Sequence, residues 1–221
     1  MRLTLFVAAL SALVLGACQT TDVRKAELAP GEGKAAVIMK LDRPVPINQT
    51  LDLVGFKADD VDEEGRVKLR NTGADLRLAR GSGGYVFTTI DPGTYLVARM
   101  SQQDAWFACF QDGTSVVTVE PDTVTYIGVF DPVPNSDQLY AEAQRRGKLR
   151  AIPDNPVSLF ENIGKPALRT GSDADLAGAR DHLADNAPGI TLPVVRGEVR
   201  DGMTFRTGRN VFGGRICMNG F

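Results

Sequence analysis

The sequence predicts a mainly β chain: an antiparallel β-sandwich carrying a C-terminal α/β extension of two short helices and a hairpin. Three observations predict it. From Lys34 to Pro132 short apolar runs recur at regular spacing, each closed by a turn signal. Beyond Pro132 two stretches carry helix caps and helical spacing. Between Val194 and Thr207 an Asp-Gly pair sits between two apolar runs, which is a hairpin signal.

The elements follow in order. Ala36 to Leu41 is the first apolar run and Leu51 to Phe56 the second. Asp59, Asp60, Asp62, Glu63, Glu64 and Gly65 form an acidic loop. Calcium wants several oxygen ligands, but the EF-hand spacing is missing and Arg66 and Lys68 follow, so the loop reads as solvated. Leu76 and Leu78 alternate with Arg77 in a short third strand. Gly81, Gly83 and Gly84 precede Tyr85 to Ile90; a phosphate loop needs a helix there, and a strand follows instead. Asp91-Pro92-Gly93 is a turn, with proline presetting φ and glycine accepting a positive one. Tyr95 to Met100 is its partner strand. Ala105 to Phe110 is apolar on both faces, with Phe107 and Cys109 on one and Trp106, Ala108 and Phe110 on the other. Val116, Val117 and Val119 lead to a turn at Pro121-Asp122, and Val124 to Phe130 closes the series.

Asn135 or Ser136 then caps a helix running through Arg146 and ended by Gly147. Prolines 153, 156 and 166 break the next stretch. Ser172 with Asp175 makes a capping box, and Leu176, Ala179 and Leu183 share one face of a helix to about Asp185. Val194 to Val199 and Met203 to Thr207 flank Asp201-Gly202 as the expected hairpin.

Two phrases in this pattern are distinctive. One is the turn and strand of DPGTYLVA, carried by Pro92, Gly93 and Tyr95; the other is VTVEPDTVTYIGVF, carried by Tyr126, Ile127 and Gly128. Together they resemble the small β-sandwich domains of bacterial envelope lipoproteins, similar in appearance to transthyretin-like and carboxypeptidase-regulatory-like sandwiches. The resemblance covers about a hundred residues; it implies the fold and is silent on activity, since this family is one of unknown function.

The first seventeen residues read MRLTLFVAALSALVLGA, with Arg2 the only charge. The run from Leu3 to Leu15 is too short to span a bilayer and has the length of a signal-peptide core. Leu15, Gly16 and Ala17 directly before Cys18 resemble a bacterial lipobox, in which the cysteine is acylated and the signal is cut before it. The alternative is an ordinary secretory signal cut after Ala17, leaving a free thiol. The expected organisation is therefore a lipoprotein signal peptide over 1–17, a flexible tether over 18–33, the sandwich over 34–132 and a C-terminal extension over 133–221 that packs on it. Gln19 after the cysteine favours, by the same resemblance, the outer membrane, with the protein lipid-anchored in the cell envelope and facing the periplasm. Each acyl methylene buried contributes about 0.8 kcal/mol, so membrane attachment runs through Cys18.

Charge and composition exclude other classes. Lys and Arg number 25 against 27 Asp and Glu, a net charge of −2. That balance suits neither nucleic acid nor a polybasic membrane surface. If Cys18 is lipidated, Cys109 and Cys217 remain in an oxidising compartment. The expectation is a disulfide that staples the tail segment Ile216-Cys217-Met218 over the second face of the Phe107 strand. Two separate buried thiols are the alternative.

Candidate chemistry is sparse. His182 is the single histidine, and no GxSxG or HExxH motif accompanies it. It reads as a half-exposed helix histidine; the enzymatic alternative is an envelope hydrolase combining His182 with acids of the C-terminal half. Arg196, Arg200, Arg206, Arg209 and Arg215 form a candidate partner-binding surface for an envelope protein or an anionic glycan or lipid. They also fit the solvent face of a hairpin. A carbohydrate-binding module would need exposed aromatic platforms, and Trp106 lies in a strand apolar on both faces. The reading that results is a non-catalytic, lipid-anchored envelope protein with a binding or assembly role and no cofactor or metal.

Overall fold

The computed structural model describes residues 26–45, 47–69, 72–79, 84–102, 105–146, 158–160, 163–209 and 215–217. The lipobox with Cys18, the glycines at 81 and 83, and the segments around Pro153 and Phe212 lie outside the described residues.

The strands are β1 (Ala35–Leu41), β2 (Gln49–Phe56), β3 (Arg66–Val67), β4 (Gly73–Leu78), β5 (Gly84–Ile90), β6 (Gly93–Gln102), β7 (Trp106–Cys109), β8 (Thr114–Val119) and β9 (Val124–Phe130). Helix α1 (Pro132–Arg145) follows, then β10 (Ser158–Phe160), β11 (Leu168–Arg169) and α2 (Asp173–Asn186). The chain continues through β12 (Val194–Arg196), β13 (Val199–Phe205), β14 (Gly208–Arg209) and β15 (Arg215–Ile216). The molecule is mainly β, in two layers with two helices, as the sequence predicts; its sheets are mixed where purely antiparallel ones were expected, since β1 and β12 run parallel to β9, and β10 parallel to β7.

The smaller sheet runs β11-β9-β1-β5, with β12 also on β9. The larger is built on β6, which pairs β2 along one side and β7 and β8 along the other. β4 extends it beyond β2, β10 beyond β7, and β13 with β3 beyond β8. Between the layers lies the main core, with Val37, Met39, Leu41 and Phe130 of the smaller sheet facing Leu51, Leu53, Leu76, Val97 and Phe110 on the other side. Burying each such side chain contributes roughly 1.5–3 kcal/mol.

Both sheets are also buried on their outer faces, which explains why β1 reads as a continuous apolar run and not as an alternation. Ala36 and Ile38 of β1 point outward onto Ala179 and Leu183 of α2, with Ile190, Leu192 and Leu28 in the same cluster. On the larger sheet Val54, Leu96, Ala98 and Cys109 point outward under Val67, Phe205 and Cys217. The face assignment of Phe107 and Cys109 against Trp106, Ala108 and Phe110 is the one the alternation predicts.

The two distinctive phrases have mechanical explanations. The Tyr95 hydroxyl donates to the Asp91 carbonyl at 2.6 Å, closing the turn that the strand leaves. Gly128 adopts φ 110°, beside the register shift where β9 changes its pairing with β1. On the other side of β9, β12 pairs before this point and β11 after it. A Cβ on Gly128 would collide with the Arg169 carbonyl, so glycine is required for that close approach.

Three expectations are corrected. The Asp201-Gly202 hairpin does not form. β12 pairs in parallel with β9, while β13 pairs antiparallel with β8 in the other sheet. Asp201-Gly202 instead marks a register irregularity inside β13, where the Asp201 carboxylate accepts from the Ser115 hydroxyl at 2.7 Å and pairs with Lys165 at 2.8 Å. Open edges on β9 and β8 compete for these runs and win over the local turn. Helix α1 starts earlier than Asn135: Asp131 is its N-cap, accepting from the Val133 amide, and Pro132 fills N1, where a missing N–H costs nothing. Asn135 is buried inside the helix and clamps the Lys165 carbonyl and the Ala167 amide. Finally, the tether to Gly33 is docked from Ala26 onward. Leu28 exchanges backbone bonds with Gly189 and Thr191, and Asp122 accepts from the Gly31 and Gly33 amides at 2.9 Å. Residues beyond Pro132 are likewise woven into both sheets and do not merely lean on them.

Candidate functional site

Helix α2 begins as its sequence dictates. Ser172 caps it, accepting from the Asp175 amide, while the Asp175 carboxylate receives the Ser172 amide. The same carboxylate takes Lys40 Nζ of β1 at 2.5 Å, and this hydrogen bond holds the Asp175 carboxyl far below the usual range. Gly178 lets the helix approach β5: a Cβ there would strike the Tyr85 hydroxyl, which itself donates to the Asp175 carbonyl at 2.6 Å. One turn on, His182 lies against Tyr85 and Phe87, with ring centroids 5.6 and 6.1 Å apart. Burial lowers its pKa, favouring the neutral imidazole. Asn186 donates to the His182 carbonyl. Asp181 and Asp185 are exposed on the same stretch, and Arg180 turns the other way, donating to the Val194 carbonyl. An open groove of about 380 Å³ lies on that other side, floored by Leu183, Ile190, Leu192 and Val194.

The described surroundings of His182 are thus aromatic rings, the Asn186 amide and the charge of Asp185; among the described residues no serine, threonine or cysteine is seen to hydrogen-bond to it. The Cys109–Cys217 disulfide is formed, with Cα atoms 5.6 Å apart and both residues buried. Beside it sits a cluster that sequence reasoning missed. Asp52 of β2 is 3% exposed and forms an ion pair with Arg99 of β6, whose guanidinium lies 4.8 Å over the Phe107 ring. Burial pushes the Asp52 carboxyl up to about 6, with the charge of Asp75, its cross-strand partner on β4, adding to the effect. The only signal for it was a lone Asp amid the apolar run of β2.

The five arginines lie on or beside several elements. Arg196 lies on β12, where it binds the Gly171 carbonyl and Asp173; Arg200 lies on β13 near Glu198 at 3.6 Å. Arg206 pairs with Asp62 at 2.9 Å and Glu64 at 3.2 Å, so the acidic loop is tied to the end of β13. The backbones of Arg209 and Arg215 face each other in the β14–β15 pair, and their side chains are outside the description. Among the described residues no helix is long and apolar enough to cross a membrane, and no three His, Cys, Asp or Glu side chains converge as a metal site.

No protein-family model, no curated protein and no solved structure matches this chain.

Proposed function

We propose that this chain is a lipid-anchored envelope protein, held to the outer membrane through acylated Cys18, with a non-catalytic binding or assembly role. The observation that carries the reading is LVLGAC, placed a short polar stretch before the chain docks at Leu28. From Cys18 to Ala26 the chain extends at most about 29 Å. The α2 end of the smaller sheet is therefore held near the bilayer. The disulfide-bearing face of the larger sheet lies two layers further out, since stacked sheets pack about 10 Å apart. With most of both outer sheet faces covered by its own chain, the protein is a rigid display platform, and the interfaces it offers are edges and rims.

Cys18→Ser tests the anchor. The variant is expected to leave the membrane fraction or to retain its signal, while the folded part is unchanged. Equal membrane retention of correctly cleaved Cys18→Ser protein overturns the reading.

A further inference from the structure

The other edges among the described residues are short or charged: β3, β10, β11 and β12 have two or three residues each, and β4 carries Asp75 and Arg77. β5 differs. Its seven residues, Gly-Tyr-Val-Phe-Thr-Thr-Ile, hold no charge and no proline, and among the described residues it pairs in a ladder only with β1, while β4 packs close by without pairing to it. Natural edge strands are ordinarily blunted by charge, proline or a bulge, because a bare edge templates another strand. The flank of this edge is chemically specific. Tyr85 and Phe87 are partly exposed on the α2 side, and His182 closes the space behind them. Asp181 and Asp185 stand exposed along the same helix face, with Arg180 drawn away to Val194 and Lys40 already engaged by Asp175.

We infer that the β5 edge together with the α2 face beside it docks an extended, basic segment of a partner protein. The segment adds a strand to the smaller sheet. Alternate side chains then fall toward α2, where lysine or arginine meets the faces of Tyr85 and Phe87 and the carboxylates of Asp181 and Asp185. Charge complementarity selects this occupant over a second copy of the chain. A two-fold pairing of β5 with itself would bring two such acidic helix faces together. The inference names a partner for the binding role proposed above and does not depend on the lipid anchor.

The test uses the full chain and a fluorescein-labelled decapeptide alternating Lys with Val and Thr, beside a counterpart with Glu for Lys. Anisotropy at pH 7.5 is expected to rise with the Lys peptide only and to weaken at least five-fold in Asp181→Asn/Asp185→Asn, a surface-only double variant. Added salt is expected to weaken it further, and hydrogen exchange of β5 amides is expected to slow on binding. Thr88→Pro is expected to abolish binding; where it does not fold, the double variant carries the test. The inference is overturned by no binding, by equal binding of the Glu peptide, by binding unchanged in the double variant, or by unaltered β5 exchange. A concentration-dependent dimer with β5 protected in the absence of peptide also overturns it, since the occupant is then a second copy. Failure here leaves the acylation of Cys18 untouched, and a soluble Cys18→Ser chain that still binds the peptide separates the two claims.

Discussion

At the scale of single residues, Asp52 gives the sharpest prediction. Its carboxyl sits at about 6 in the folded protein against 3.8 as the ordinary value, chiefly through burial. The folded state thus binds the proton more tightly than the unfolded state, so this group's contribution to stability is fully present below about pH 4 and is lost as pH rises through about 6. The loss is on the order of 3 kcal/mol. Asp175 acts with the opposite sign: Lys40 depresses its pKa, so its contribution is present above about pH 4 and lost on further acidification. Comparing wild type with Asp52→Asn isolates the first effect. Wild type is expected to gain stability relative to the variant on going from pH 7.5 to 4.5, read by denaturant midpoints; a constant difference contradicts the assignment. Tyr95→Phe removes only the hydroxyl that closes the Asp91 turn and is expected to cost about 0.5–1.5 kcal/mol by thermal or chemical unfolding.

At the scale of elements, the legibility of the sequence followed how local each cause was. The cap of α2 was readable because Ser172 and Asp175 satisfy each other within one turn. The alternation of β7 was readable because strand period alone decides which face Cys109 takes. The hairpin failed because its outcome was decided elsewhere, by the unpaired edges of β9 and β8 that took β12 and β13. Asp131 was passed over as a cap in favour of Asn135 or Ser136, although the proline that follows it belongs in a first helical turn. The Asp52–Arg99 pair was illegible, since no spacing rule joins residues that meet only through strand pairing. The disulfide joins β7 to the tail across 108 residues. Removing it with Cys217→Ser is expected to cost about 2–5 kcal/mol, below or near the chain-entropy figure of about 4.7 kcal/mol for a loop of about a hundred residues. Thiol counting on denatured, unreduced wild type should find neither Cys109 nor Cys217 free.

At the scale of the molecule, the series of strands and its two-layer arrangement were visible in the turn spacing, but the division at Pro132 was not a division of the core. β13 lies on β8, β11 and β12 lie on β9, and α2 covers Ala36 and Ile38. A chain ending at Asp131 would expose the outer face of β1 and β9 and strip strands from both sheets. It is expected to aggregate or to show no cooperative unfolding transition, whereas a sharp transition with native-like β circular dichroism would show that the part before Pro132 folds without the rest. The N-terminal segment belongs to the same unit from Ala26, through Leu28 and the Asp122 turn. The central claim is the acylation of Cys18 upstream of this unit. The most direct measurement is the intact mass of the detergent-extracted, membrane-derived protein. The chain is expected to begin at Cys18 and to be heavier than its sequence by a diacylglyceryl group and an N-acyl chain. An unmodified mass, with a free amine and a free Cys18 thiol, contradicts it.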